Sequence, residues 1–140
     1  MRQARTQDEI EAALRLRYAV FCEEQGVTLE AEQDGRDPEA THLVVIEAGR
    51  VIGTCRLLIS PGVARLGRMV VSSERRGAGV GSALLAEAER AALEAGAQAV
   101  RLNAQIAARA VYDRAGYEGE GEVFMEEGIE HVTMGKPLRA

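Results

Sequence analysis

Cysteine is scarce in this chain: Cys22 and Cys55 are the two in 140 residues. They have no CxxC spacing and no histidine cluster nearby, so neither a zinc site nor a disulfide framework is indicated. Both read as partly buried free thiols. Apolar runs are short, and none approaches the roughly 20 residues that cross a bilayer. No membrane partner is expected. The first 17 residues are charged and lack the apolar stretch of a signal peptide, so the sequence reads as cytoplasmic. An excess of positive charge is missing as well. Lys and Arg number 17 against 22 Asp and Glu, a net charge of −5. That argues against nucleic acid as a partner, which would want a basic face. There is no internal repeat, linker or low-complexity tract.

What is present is ordinary globular material, 46% hydrophobic and 28% charged. Its length suits one domain, residues 1–140, with a real core. Residues 7–24 predict a helix, with Ile10, Ala13, Leu14, Arg17, Tyr18 and Phe21 at helical spacing. Thr6 is placed as its N-cap, with Glu9 as capping-box partner. Residues 25–40 are polar, acidic and turn-rich, and predict an irregular binding loop. Residues 42–47 and 51–59 predict an antiparallel hairpin turned at Ala48-Gly49-Arg50. A third strand spans 63–71, and a helix runs from about 79 to 93, with Val80, Leu84, Leu85, Ala88, Ala91 and Ala92 on its apolar face. Residues 99–104 predict a strand parallel to the third, through a right-handed crossover. A short helix over 106–115 and a hairpin of 122–126 with 131–136 complete an α+β fold: a mixed, mostly antiparallel sheet flanked by helices.

Between the third strand and the long helix stands Arg75-Arg76-Gly77-Ala78-Gly79-Val80-Gly81-Ser82. Strand, glycine loop and helix N-terminus make an anion seat. Free N–H groups and the positive end of the helix dipole converge there, and glycine lets a phosphate approach the backbone. A nucleoside-triphosphate loop needs GxxxxGK[ST], and no lysine follows these glycines. A dinucleotide fingerprint needs GxGxxG and a later acidic residue. The spacing here is one residue short, and the next strand ends in Arg101-Leu102-Asn103.

Arg76-x-x-Gly79-x-Gly81 resembles the R/Q-x-x-G-x-G/A motif of the GCN5-related (GNAT) N-acetyltransferases. The run from Gln105 through Ala108, Tyr112 and Gly116-Tyr117 resembles that family's second signature, N-x-x-A-x-x-x-Y-x-x-x-G-F. The segments Leu16-Arg17-Tyr18, Val20-Phe21, Glu23-Glu24-Gln25, Glu32-x-Asp34-Gly35-x-Asp37, His42-Leu43 and Glu126-Glu127-Gly128-Ile129-x-His131 resemble its ElaA-like branch. Arg17-x-x-Val20-Phe21 with the later acidic pair is also similar to acyl-homoserine-lactone synthases, which share the fold and are longer.

The resemblance implies acetyl-CoA as donor substrate, no metal, and transfer of its acetyl group to a primary amine of a small molecule or peptide. Arg76, Gly77, Gly79, Gly81 and Ser82 are then expected to hold the CoA pyrophosphate, with Ala78 and Val80 adding N–H groups. The backbone of Met69, Val70 and Val71 is expected to pair with the pantetheine arm as an added strand. Tyr112 takes the place of the general acid that protonates the leaving thiolate. Gln105 stands where the family more often has Asn, and Arg109 is a candidate contact to the phosphates. Phe21, Glu24, Asp34, His42 and His131 are candidate acceptor-site residues. The base is open among Glu24, Glu32, Asp34, Asp37, His42, Glu130, His131 and a water chain. The acidic stretch 23–37 is the expected receptor for a cationic amine. A non-catalytic acyl-CoA-binding module, an acyltransferase for longer chains, and a homodimer are compatible with the same residues.

Overall fold

The computed structural model describes residues 2–139. Seven strands form one sheet in the order β1-β2-β3-β4-β5-β7-β6. In chain order they are β1 (Arg2–Gln3), β2 (Thr41–Glu47), β3 (Arg50–Ser60), β4 (Val63–Val71), β5 (Ala99–Gln105), β6 (Glu118–Glu126) and β7 (Ile129–Pro137). The helices are α1 (Gln7–Arg17), α2 (Leu29–Glu32), α3 (Val80–Glu94) and α4 (Arg109–Arg114).

Turn chemistry sets the hairpins. Ala48 and Gly49 have φ of 51° and 76°, and Glu127 and Gly128 have 52° and 73°. Two successive positive φ values match the twist of paired strands, so β2–β3 and β6–β7 each close tightly. The final hairpin is longer than its apolar runs suggested. It inserts backwards, with β7 pairing antiparallel to β5 along Ala99–Pro137 through Gln105–His131. The expected parallel neighbours, β4 and β5, are joined by α3. Strand β1 has only two residues, pairing Arg2 with Val44 and Gln3 with Leu43. So short a strand leaves no periodicity to detect.

The core lies between the sheet and α3. Leu43, Leu57, Leu66, Val100, Leu102 and Met134 pack with Leu84, Leu85, Ala88 and Ala92. Truncating a residue as buried as Leu84, at 0% exposure, costs about 2–5 kcal/mol. The start of α3 lies close against β3 at Gly53, where a Cβ would meet Val80 Cγ1 at 2.9 Å.

Two departures shape the site. The α-helical form of α1 ends at Arg17, and the chain continues as a π-helix over Tyr18–Glu24. That wider turn re-aims the side chains after it. The second is a β-bulge. Thr54 faces Val70 and Arg56 faces Gly67, so Arg68 and Met69 together oppose Cys55. Arg68 takes a φ of 53° there. The parallel ladder to β5 holds only from Val63–Ala99 to Arg65–Arg101, so β4 has already left β5 where it reaches the bulge.

Candidate active site

The parting of β4 and β5 opens a groove of about 930 Å³. Met69, Val70 and Val71 form its β4 wall, Gln105 stands on the β5 side, and Tyr112 reaches it from α4. Gly77, Gly79, Val80, Gly81 and Ser82 line one end. Ala78 belongs to that loop but stands off the wall. Gly77 and Gly79 have φ of 82° and 83°. An L side chain disfavours that conformation, so glycine turns the chain into α3 here. Gly79 is the N-cap of α3 and gives it no side-chain cap. The first N–H groups of a 15-residue helix are thus left to a ligand.

Arg76 stands at the same end. Its Nη1 and Nη2 donate to the Glu24 carboxylate at 2.8 and 3.0 Å, and its Nε donates to the Val71 carbonyl at 3.1 Å. Those hydrogen bonds hold the Glu24 carboxyl below its usual range. Arg75 pairs with Glu47. One residue past Glu24, Gln25 spans the groove. Gln105 Nε2 donates to Gln25 Oε1 at 2.9 Å, and the reciprocal bond is 3.4 Å.

The Tyr112 hydroxyl lies 3.7 Å from the sulfur of Met69, and its ring stands edge-on to Tyr117. Burial pushes the phenol up to about 12. Tyr112 is therefore protonated at neutral pH and positioned as a donor. Arg109 lies off the groove wall: it pairs with Asp113 at 3.5 Å and leans over Gly119 of β6.

The acidic stretch departs most from expectation. Its carboxylates face arginines of the protein. Glu32, 3% exposed, accepts from Arg17 at 2.5 Å and from Arg68 at 3.1 Å. Asp34 accepts from Arg56, and that hydrogen bond sets its carboxyl well below the usual range. Burial pushes Asp37 up, but Arg17 at 2.7 Å and Arg56 at 3.1 Å outweigh it and leave it lowered. Of the three, only Glu32 lines the groove. His42 is buried off the wall, with Nε2 donating to the Asp37 carbonyl at 2.9 Å. Phe21 and His131 do line the groove.

Sequence reasoning missed Arg56 and Arg68 and gave no role to Gln25, Glu126 and Glu127, all on the groove wall. One signal was available. Arg17 shares the buried face of its helix, and a buried guanidinium requires carboxylate partners. Among the described residues, no group of three or more His, Cys, Asp or Glu is placed to hold a metal ion.

A mixed sheet whose β4 and β5 part, with the Gly77–Ser82 turn at one end of the gap and the half-buried Tyr112 along it, is an acyl-CoA N-acyltransferase fold. The family model for the acetyltransferase (GNAT) domain matches residues 3–138. The chain belongs to that family. It is 34% identical over 134 residues to the uncharacterized N-acetyltransferase YjcF of Bacillus subtilis, covering 95% of this chain and 96% of that one. Among solved structures, it is similar to an acyl-CoA N-acyltransferase from Pseudomonas aeruginosa. That match has TM-score 0.85 and 34% identity, over 94% of this chain and 92% of that one. Escherichia coli ElaA superposes with TM-score 0.82 at 27% identity, over 94% and 92% of the two chains.

Proposed function

We propose that this acyltransferase moves the acetyl group of acetyl-CoA directly to a primary amine of a small molecule or peptide. The observation that carries the reading is the parted β4–β5 pair, with the Gly77–Ser82 turn at one end and the Tyr112 hydroxyl along it. The pyrophosphate would rest on the N–H groups of Gly79, Val80, Gly81 and Ser82, with Arg76 beside it. The pantetheine arm would run along the free edge of Met69–Val71 as an added strand. The relative from Pseudomonas aeruginosa, named an acyl-CoA N-acyltransferase, supports a CoA thioester as donor.

The amine lone pair attacks the thioester carbonyl, forming the C–N bond. The C–S bond then breaks, and Tyr112 gives its proton to the departing thiolate. A phenol held neutral by burial suits that step, because it stays a donor across the working range of pH. The test is release of CoA thiol from acetyl-CoA across a panel of amines, amino acids and peptides. Amine-dependent release with a mass gain of one acetyl group on the acceptor supports the reading. CoA binding without release across the panel would favour a sensor, and preference for longer acyl-CoAs would favour a longer-chain transferase.

A further inference from the structure

The amine must lose a proton, and the structure narrows the groups that could take it. Glu24, Glu32, Asp34 and Asp37 are each engaged by arginine. Glu130 and His42 lie off the groove wall. Of the side chains considered for this role, His131 is the one on that wall with a ring nitrogen free of hydrogen bonds among the described residues.

Its geometry fixes which nitrogen is basic. His131 Nδ1 lies 2.7 Å from the carbonyl oxygen of Ile129. A carbonyl only accepts, so Nδ1 carries the hydrogen and the lone pair of the neutral ring sits on Nε2. The Phe124 ring stacks on the imidazole, with centroids 5.9 Å apart and planes 22° apart, and holds its orientation. Nε2 lies 4.0 Å from the Glu126 carboxylate. Glu126 and Glu127 share the groove wall with the ring, while the β5 residue opposite in register is the neutral Gln105. Glu130 precedes His131 on β7, where alternation sends its side chain to the other face. A proton arriving at Nε2 therefore meets a carboxylate.

We propose that His131 is the catalytic base, and that Glu126 is a positioning residue that supplies the counter-charge of the imidazolium. This rests on the amine-acetylation reading. The proton leaves the amine nitrogen for Nε2 as the C–N bond forms, and Tyr112 separately protonates the CoA sulfur. His131 then releases its proton to solvent and Tyr112 recovers one. The net change is amine plus thioester to amide plus thiol.

The test is the pH profile of kcat/KM for CoA release with the best amine of the panel, in wild type, His131→Gln and Glu126→Gln. We expect His131→Gln to lose at least about 100-fold in kcat/KM. It should also lose the acidic limb of the profile, regain part of the rate with added imidazole, and bind CoA as wild type does in calorimetry. Glu126→Gln should keep the limb but move it to lower pH. Wild-type activity or an intact limb in His131→Gln overturns the base assignment. Loss of CoA binding in that variant would assign His131 a structural role and overturn it too. A wild type that binds CoA yet acetylates no amine overturns the amine reading itself, and the base with it.

Discussion

Replacing Glu32 with Gln removes one charge from a buried cluster that is balanced as it stands. Arg17, Arg56 and Arg68 provide three positive charges, and Glu32, Asp34 and Asp37 three negative ones. Arg17 and Glu32 are 1% and 3% exposed. Leaving a buried charge without its partner costs about 3–5 kcal/mol. Two features soften that here. Arg17 keeps Asp37 at 2.7 Å, and Arg68 is 24% exposed. We therefore place the loss at about 2–3 kcal/mol, at or just below the low end of that range. In a chain of this size it corresponds to a melting temperature lower by about 6–12 °C. Urea unfolding should show the same loss with an unchanged m value. Arg17→Met combined with Glu32→Leu should recover most of it, because an apolar pair needs no counter-charge. A loss below about 1 kcal/mol in Glu32→Gln would refute the view that this cluster clamps residues 28–39 to the sheet.

Tyr112→Phe should lower kcat at least tenfold while leaving CoA binding intact, measured by thiol release and calorimetry; an unchanged kcat removes Tyr112 from the chemistry. Gly79→Ala forces an L residue to φ near 83° in open space, a strain of about 1–2 kcal/mol. CoA affinity should fall about fivefold or more. Gly49→Ala, at φ 76° in the β2–β3 turn and off the groove wall, should leave that affinity alone. On the acid side, hydrogen bonds from Arg2 above all lower the Glu9 carboxyl from 4.5 to about 2. A depressed carboxyl stabilises the fold above its unfolded value and loses that contribution as pH falls from 4.5 towards 2. Arg2→Ala should flatten that part of a stability-versus-pH curve.

The elements with local chemistry were legible in the sequence. Gly49 marked the first hairpin turn, and the run from Gly77 to Ser82 marked both the start of α3 and one end of the groove. The apolar face of α3 was readable because its burial repeats with the helix. The bulge at Arg68 was not legible, since one extra residue slips the register without changing composition. The π-helical form of Tyr18–Glu24 was hidden for a similar reason: its residues still recur at near-helical spacing. The acidic stretch was misread because its partners are remote in sequence. Glu32 meets Arg17 and Arg68, and Asp34 meets Arg56, across separations of 15, 36 and 22 residues. Glu9 met half of its capping-box role: Thr6 Oγ1 accepts from its N–H, but its carboxylate accepts from the backbone of Arg5 and the side chain of Arg2.

Titration of the isotopically labelled protein with CoA, followed by amide NMR, addresses the parted β4–β5 groove itself. We expect saturable shifts at the amides of Gly77, Gly79, Gly81 and Ser82 and along Met69–Val71, reaching an endpoint of one CoA per chain. Saturation with shifts elsewhere, or no shifts at all, would contradict the groove as the seat of the donor.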